Sequence, residues 1–414
     1  MQPNELAGKL YRDLTPLIQN GDTEGVIRSV ARYHVEGMEP DALFGILVRI
    51  GSLRYSYERF GDEPPRSFPA INACNNIARR LSREEGVLVL LQAAVRMAQE
   101  AKVAVDVPIT PYTDFPQDDL EFLSEVLIKA ILARNLERAD GALEKMLQQP
   151  RGREWVADML LLAASLDRRG NGAKLIMATH ALESVNKLKW EVGFGMLRPV
   201  VHYLASGHYE KQRRFLEKWV AETDIEERTA FANSRDLTLR EAIALADEIL
   251  SGDFRGKVNH ALRNNVSLKS LTDVLVLTAC EWIGRGERDS LMSSIDKFNY
   301  CHAVRMALDW LGRDPLWSLL SGIEYMHEGW EGGEVSAIAT EMELADPLEF
   351  SRWVATQDGE TTGLRLHIFA DAFMREEQAL PAEFKPYLFR AANVVRARVT
   401  ESLSVQYTFN ALAG

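Results

Sequence analysis

The spacing of apolar residues is the feature that most limits how this chain can fold. Apolar residues recur at positions i, i+3, i+4 and i+7 through almost every segment, which is the pattern of an amphipathic helix. The strict alternation of a half-buried strand is nearly absent. The stretch Leu175–Gly207 is typical, because it reads as two helices joined by a glycine-rich turn. We therefore predict an all-α protein.

The same helical pattern returns several times along the 414 residues. A short amphipathic helix, a turn and a strongly apolar helix are predicted at 24–52, 139–166 and 256–284. The chain also contains four further helix pairs, which are Phe68–Ala101, Leu175–Gly207, Phe298–Gly329 and Leu364–Arg398. Internal repetition of this length is typical of helical-repeat proteins. We predict four helical-hairpin repeats that form a curved or closed α-α bundle with an interior cavity.

Proline content and charge divide the chain into segments. The proline-rich stretch 107–117 separates the first repeat from the second, and the charged residues 210–255 connect the second to the third. The predicted organisation is an N-terminal arm with repeat unit 1 (1–106), a linker (107–117), repeat unit 2 (118–209), a helical connection (210–255), repeat unit 3 (256–330), and repeat unit 4 with a tail (331–414).

Composition and charge exclude several classes of function. The chain is 46% hydrophobic with a formal net charge of -12, so it has a globular profile and lacks the basic surface that binds a nucleic-acid backbone. Its apolar runs are far shorter than the ~18–20 residues of a membrane helix. The first residues show no basic stretch followed by an apolar one, so we expect no secretory signal. We expect a cytoplasmic protein that binds neither nucleic acid nor membrane. The motifs of P-loop ATPases, Rossmann dinucleotide sites, serine hydrolases and zinc proteases are absent.

Histidines recur at one position of the predicted repeats. His180, His302 and His367 fall at the same place on an apolar helix in units 2, 3 and 4, where unit 1 has Asn72. In units 2 and 3 the next helix carries a polar residue followed by a tyrosine, namely His202 with Tyr203 and Glu324 with Tyr325. These side chains are costly to bury without partners, so their place among apolar residues suggests a shared role.

Three imidazoles and a carboxylate form a donor set suited to iron, zinc, copper or manganese. If the repeats curl so that equivalent helices converge, the histidines meet in one cavity. Glu183 lies one turn after His180, where it is either a further ligand or an acceptor that orients the imidazole. The predicted metal ligands are His180, His202, His302, Glu324 and His367, and the candidate catalytic residues are Glu183, Tyr203 and Tyr325.

A structural explanation stays open for each of these residues. A single histidine on an apolar helix is more often a hydrogen-bonded core residue than a metal ligand. Repeats also inherit core residues as readily as they inherit sites. Tyr203 and Tyr325 have the same alternative, because a tyrosine hydroxyl commonly finds a partner at a helix–helix interface.

Two short motifs carry a family resemblance. THALESVNKL at 179–188 and CHAVRMALDWL at 301–311 resemble the helical-repeat region attached to some bacterial Rieske-type iron–sulphur proteins of uncharacterised function. The helices DALFGILVRIGS and LTDVLVLTACEW fit that region too. This chain departs from the family because it lacks the Rieske cysteines and histidines, and because Asn72 replaces the histidine of unit 1.

The chain more distantly resembles the questin-oxidase-like family. Those helical proteins open aromatic polyketide rings oxidatively, with a histidine-bound non-haem iron. The resemblance implies an oxygen-using metalloenzyme and makes His180, His302 and His367 the candidate iron ligands.

The resulting hypothesis is a non-haem metal-dependent oxidoreductase or oxygenase. It would act on a hydrophobic or aromatic small molecule in the helical cavity, with a separate electron-donor protein as a possible partner. Two alternatives stay open. One is a non-enzymatic helical-repeat scaffold that binds a protein partner. The other is a protein that carries haem or flavin in the cavity.

Overall fold

The computed structural model describes residues 3–52, 66–101, 110–223, 234–285, 290–310, 315–330, 346–357, 363–399 and 403–413. Within these ranges every regular element is a helix, apart from one isolated bridge between Arg235 and Val266. The all-α prediction is confirmed. No helix in the described ranges is both long enough and apolar enough to cross a membrane.

The helices are numbered in chain order. They are α1 (Pro3–Gln19), α2 (Thr23–Val35), α3 (Pro40–Gly51), α4 (Ser67–Ala78), α5 (Arg83–Ala101), α6 (Leu120–Leu132), α7 (Leu136–Leu147), α8 (Gly152–Ser165), α9 (Ala173–Lys187), α10 (Gly193–Ala205), α11 (Glu210–Thr223), α12 (Leu239–Ser251), α13 (Phe254–Arg263), α14 (Leu268–Arg285), α15 (Leu291–Trp310), α16 (Pro315–His327), α17 (Pro347–Ala355), α18 (Gly363–Ala379), α19 (Lys385–Arg398) and α20 (Ser404–Ala413).

Four helices form a closed ring at the centre of the molecule. α4 packs against α9 and α18, and α15 packs against the same two helices. Each of the four is buried on every side over two or more turns, at 67–75, 175–182, 294–304 and 366–374. A helix that lacks a continuous polar stripe has to be surrounded by other helices. The sequence of these segments therefore explains why they lie at the centre.

The remaining helices surround this central ring in chain order. Each central helix packs against the helix before it and the helix after it, which gives the groups α3–α5, α8–α10, α14–α16 and α17–α19. Neighbouring groups meet through α3 with α10, α8 with α16, α14 with α19, and α17 with α5. The last contact joins the end of the chain to its beginning.

Several details of the predicted organisation stay predictions. The equivalence of the four groups as repeats, the segment boundaries and the interior cavity are not established by the helix packing. Residues 107–109 of the predicted linker, 224–233 of the helical connection and 331–345 of unit 4 lie outside the described residues.

The described part of the linker packs tightly on α7. The backbone amide of Tyr112 donates to the carbonyl of Glu137 at 2.9 Å, and the Arg138 guanidinium lies 5.5 Å from the Tyr112 ring centre. Gly141 faces the same residue, and a Cβ at this position would overlap the Tyr112 carbonyl. Only glycine therefore allows the extended segment to lie this close to the helix.

We expect Gly141→Ala to lower the free energy of unfolding by about 1–3 kcal/mol, because the added methyl group forces the backbone at Tyr112 away from α7. Gly8→Ala is the matched control, since it also lies inside a helix and a Cβ there meets only the end of Arg12 at 3.9 Å. The free energy of unfolding of that control should rise by up to about 1 kcal/mol. Urea unfolding measures both, and equal gains in the two variants would contradict the close approach.

Candidate functional site

His180 lies on α9, inside the central ring, and is paired with Asn72 of α4. The Asn72 Nδ2 atom is 3.0 Å from His180 Nδ1 and donates to Glu183 Oε2 at 2.7 Å. Asn72 Oδ1 accepts from the Lys187 ammonium at 2.7 Å. Because an ammonium only donates and a carboxylate only accepts, the amide orientation is fixed. His180 Nδ1 is therefore an acceptor, and the proton of this imidazole is on Nε2.

The charge states at this site follow from burial and from two cations. Burial lowers the pKa of His180 from 6.5 to about 4, although the negative charges of Asp371 and Glu183 act in the opposite direction. Burial alone would raise the pKa of Glu183, but Arg375 and Lys187 outweigh it and hold that pKa at about 2. At neutral pH a neutral imidazole thus lies beside an ionised carboxylate.

A network of charges and amides joins three of the central helices where they end. Arg375 of α18 pairs with Glu183 of α9, and its Nε donates to Asp371 at 3.1 Å. Asn76 of α4 donates to Asp371 at 2.8 Å and accepts from Lys187. Two cations therefore already neutralise the Glu183 carboxylate. We conclude that this carboxylate cross-links the helices.

His302 lies on α15 and belongs to a second charged cluster. Its Nδ1 is 2.7 Å from Glu376 Oε1 of α18. Arg305 donates through Nε to both oxygens of Glu376, at 3.0 and 2.9 Å. The same guanidinium reaches Asp273 of α14 through Nη2 at 2.7 Å. One arginine thus holds two buried carboxylates, and one of these fixes the His302 ring.

The two ring nitrogens of His302 differ in their hydrogen bonding. Burial raises the pKa of Glu376, but Arg305 and His302 outweigh it, so the net pKa lies below its usual value and the group is a carboxylate. A carboxylate only accepts, so His302 Nδ1 carries a proton and donates it. His302 Nε2 is buried and has no hydrogen-bond partner among the described residues. The same holds for Asn299 Oδ1, one turn earlier on α15.

The central ring brings three of the predicted histidines to adjoining helices. His180, His302 and His367 lie on α9, α15 and α18, and each is at most 3% exposed. His302 is close enough to His180 to influence its pKa electrostatically. The recurrence of histidine in the sequence therefore corresponds to one buried imidazole on each of three helices of the central ring.

His202 and Tyr203 lie outside the central ring. They lie on α10, in the outer layer. His202 Nε2 is 2.9 and 3.0 Å from the two oxygens of the fully buried Asp140, which also accepts from Arg198 at 2.8 Å. The Tyr203 ring lies 4.7 Å from the Lys174 ammonium. Both residues thus have charged partners of their own, away from His302.

Glu324 and Tyr325 lie on α16, beside an open groove on the outer surface. Glu324 accepts from Gln212 at 2.8 Å and pairs with Arg168 at 3.1 Å. Burial raises the pKa of Glu324 despite these partners. The Tyr325 ring packs edge-on against Tyr300 at 5.1 Å. These two residues therefore face a different region from the histidines.

The described side chains do not fit the predicted iron centre. Within the described ranges, no group of three or more histidine, cysteine, aspartate or glutamate side chains is placed to hold a metal ion. The lone pair of His180 is used by Asn72, and the Glu183 carboxylate is neutralised by Arg375. His302 Nε2 is buried without a hydrogen-bond partner, but it belongs to no such group of ligands in the part of the chain that the structure describes. The geometry therefore assigns no reaction step to a metal.

No protein-family model, curated protein or solved structure matches this chain. The resemblance to the helical-repeat region of Rieske-type proteins and to the questin-oxidase-like family therefore stays a prediction. Function has to be inferred from the side chains of the central ring themselves.

Sequence reasoning missed the residues that give His302 its geometry. Glu376 and Arg305 are charged residues on apolar helices, and Asn72 entered only as the exception to the histidine pattern. A usable signal was present, because a buried helix tolerates a charge only when an opposite charge meets it. Arg305 and Glu376 could therefore have been marked, with the other charges on these helices, as residues that need a partner of opposite charge.

Proposed function

We propose that the protein is an enzyme that transfers a proton to or from a small molecule bound against the inner face of the central helices. His302 would be the acid–base group. One observation carries the proposal: Nε2 of His302 is buried without a hydrogen-bond partner among the described residues, while a carboxylate fixes Nδ1 of the same ring. Buried polar atoms are almost always paired, so an exception points to a bound molecule or to chemistry.

The arrangement has the parts of a positioned general base. The Glu376 carboxylate holds the tautomer that leaves the Nε2 lone pair unprotonated, and it stabilises the imidazolium that forms once a proton is taken. Arg305 in turn keeps Glu376 ionised and in place. Asn299 Oδ1 offers a second acceptor one turn away. Two acceptors side by side favour a substrate that donates hydrogen bonds, such as a hydroxylated aromatic molecule.

We expect hydroxylated aromatic compounds that bind the protein to raise its thermal midpoint by about 2 °C or more at saturating concentration. His302→Gln should abolish this shift, because the glutamine cannot reproduce an acceptor at the Nε2 position while it stays bonded to Glu376. His202→Gln is the matched control, since that histidine is also paired with a buried carboxylate but lies outside the central ring. Differential scanning fluorimetry over a compound library measures all three proteins.

Two results would contradict the proposal. If every binding compound shifts His302→Gln as much as the wild type, the imidazole does not contact the ligand. If elemental analysis finds near-stoichiometric iron that is lost in His302→Gln, a metal-dependent oxidoreductase is the better explanation. A library without any binding compound would favour the scaffold alternative.

A further inference from the structure

A groove of about 890 Å³ opens on the outer surface, away from His302. It lies between residues 167–171, α11, α13 and the C-terminal end of α16. Phe215 and Phe254 contribute apolar surface to its wall, and charged side chains surround them. This size is in the range of ordinary small-molecule sites.

The acidic residues of the groove are already neutralised. Glu324 and Glu328 each pair with Arg168, at 3.1 Å in both cases. Asp167 is held by Arg169 and by Lys174, both at 3.0 Å. These cations hold the pKa of Asp167 at about 2 against the opposing effect of burial. The carboxylates of the groove therefore offer little attraction to an incoming cation.

Two cations of the groove have no such neutralisation. Lys211 and Arg255 make no ion pair with any residue that the structure describes. The Arg255 guanidinium lies 4.1 Å from the centre of the Phe215 ring, which holds it in place without cancelling its charge. In a chain with a formal net charge of -12, this is a local surplus of positive charge. Such a surplus attracts anions.

Two residues that line the groove also carry a buried hydrogen-bond donor without a partner among the described residues. Tyr325 is only 8% exposed, and its Oη has no partner among the described residues. Burial raises the pKa of Tyr325, so the phenol keeps its proton and can donate it. Arg168 Nε is also buried without a partner in the described ranges. These two donors lie beneath the surface of the groove, which itself offers unpaired cations and aromatic surface.

We propose that this groove binds a small aromatic anion whose carboxylate or phosphate group is held by Lys211 and Arg255. An oxyanion supplies acceptors for the ammonium and the guanidinium, and the fork of the guanidinium matches two oxygens of a carboxylate or a phosphate. An aromatic body would cover Phe215 and Phe254. A neutral aromatic molecule would gain only the contact with the two phenylalanine rings. This site is separate from His302, so it would be a second ligand site.

The test uses benzoate, phenyl phosphate, inorganic phosphate and benzyl alcohol as probes, with isothermal titration calorimetry on the full chain. We expect an aromatic anion to bind with a dissociation constant in the low-millimolar range or tighter, and benzyl alcohol to bind at least about tenfold more weakly. Comparing benzoate with phenyl phosphate decides which oxyanion is preferred. Inorganic phosphate shows how much the anion contributes alone.

Lys211→Gln/Arg255→Gln should weaken binding of the aromatic anion by about tenfold or more, and added salt should weaken binding to the wild type. Lys218→Gln is the matched control, because it is an exposed lysine of the same helix outside the groove. The single variant Lys211→Gln changes an exposed side chain and keeps the test valid if the double variant folds poorly. Equal affinity in wild type and Lys211→Gln, equal affinity for benzyl alcohol, or no anion binding at about 10 mM would overturn the proposal.

Discussion

Replacing Arg305 with methionine will lower the free energy of unfolding by about 3–5 kcal/mol. Arg305 is the cation that holds both Glu376 and Asp273, whose side chains are 0% and 3% exposed. Without it, Glu376 loses the arginine that neutralises it, and Asp273 is left with the exposed Lys269 as its cation. Removing one partner of a buried ion pair destabilises a protein more than replacing the whole pair with apolar residues does, because the remaining charge stays buried without a partner. Urea unfolding followed by circular dichroism measures the loss.

Arg28→Met is the matched control for this prediction. Arg28 pairs with Glu24 on the exposed face of α2, where both side chains are about two-thirds exposed. Loss of an exposed helical pair costs about 0.5 kcal/mol or less. A rescue variant separates charge from shape: adding Glu376→Gln and Asp273→Asn to Arg305→Met should recover most of the stability. An Arg305→Met variant no less stable than Arg28→Met would show that the two carboxylates do not depend on this arginine.

Stability will fall as the pH is lowered from about 6.5 towards 4, and His180 will be a main cause. The pKa of His180 is 6.5 when unperturbed and about 4 in the folded protein, chiefly because of burial. In this window the unfolded chain binds a proton that the folded chain does not. The free energy of unfolding therefore decreases on acidification, by about 3 kcal/mol over the whole window.

His180→Asn tests this contribution. The asparagine cannot titrate, but its Oδ1 can still accept from Asn72. Between about pH 7 and pH 5, we expect the variant to lose less stability than the wild type. The slopes of the free energy of unfolding against pH should differ by an amount that corresponds to the uptake of up to about one proton per molecule. Urea unfolding at a series of pH values measures the difference. His260→Asn is the control, since His260 is exposed on α13 and should leave the wild-type slope unchanged.

Other buried groups act outside this window or with the opposite sign. The pKa of Glu183 is lowered from 4.5 to about 2, so its stabilising contribution is lost only as the pH falls below 4.5. Burial raises the pKa of Glu100 and Asp296, and the stability that these groups contribute is lost as the pH rises. Both effects occur in His180→Asn and in the wild type, so they cancel when the pH dependence of stability of one protein is subtracted from that of the other. An unchanged slope in His180→Asn would mean that His180 binds protons equally in the folded and unfolded chains, so that burial does not lower its pKa.

The placement of the histidines could be predicted in part from the sequence. The recurrence of His180, His302 and His367 pointed to equivalent helices, and these three do lie on helices of the central ring. The polar residues predicted on the helix that follows each histidine do not lie in the central ring. His202 and Glu324 are held by Asp140 and Arg168 on the outer layer. The spacing in the sequence predicts which helix carries a residue. It does not predict whether that residue faces the central ring or the outer layer, because this depends on how the helices pack.

The sequence by itself determined the class of fold and the identity of the central helices. Helical periodicity is a local property, and a helix without a polar stripe must be surrounded, so both can be read residue by residue. Only the tertiary structure decided which histidine nitrogen is free. Asn72 and His180 are 108 residues apart, and His302 and Glu376 are 74 apart. Hydrogen bonds between such distant residues depend on how helices pack, and no local pattern in the chain encodes them.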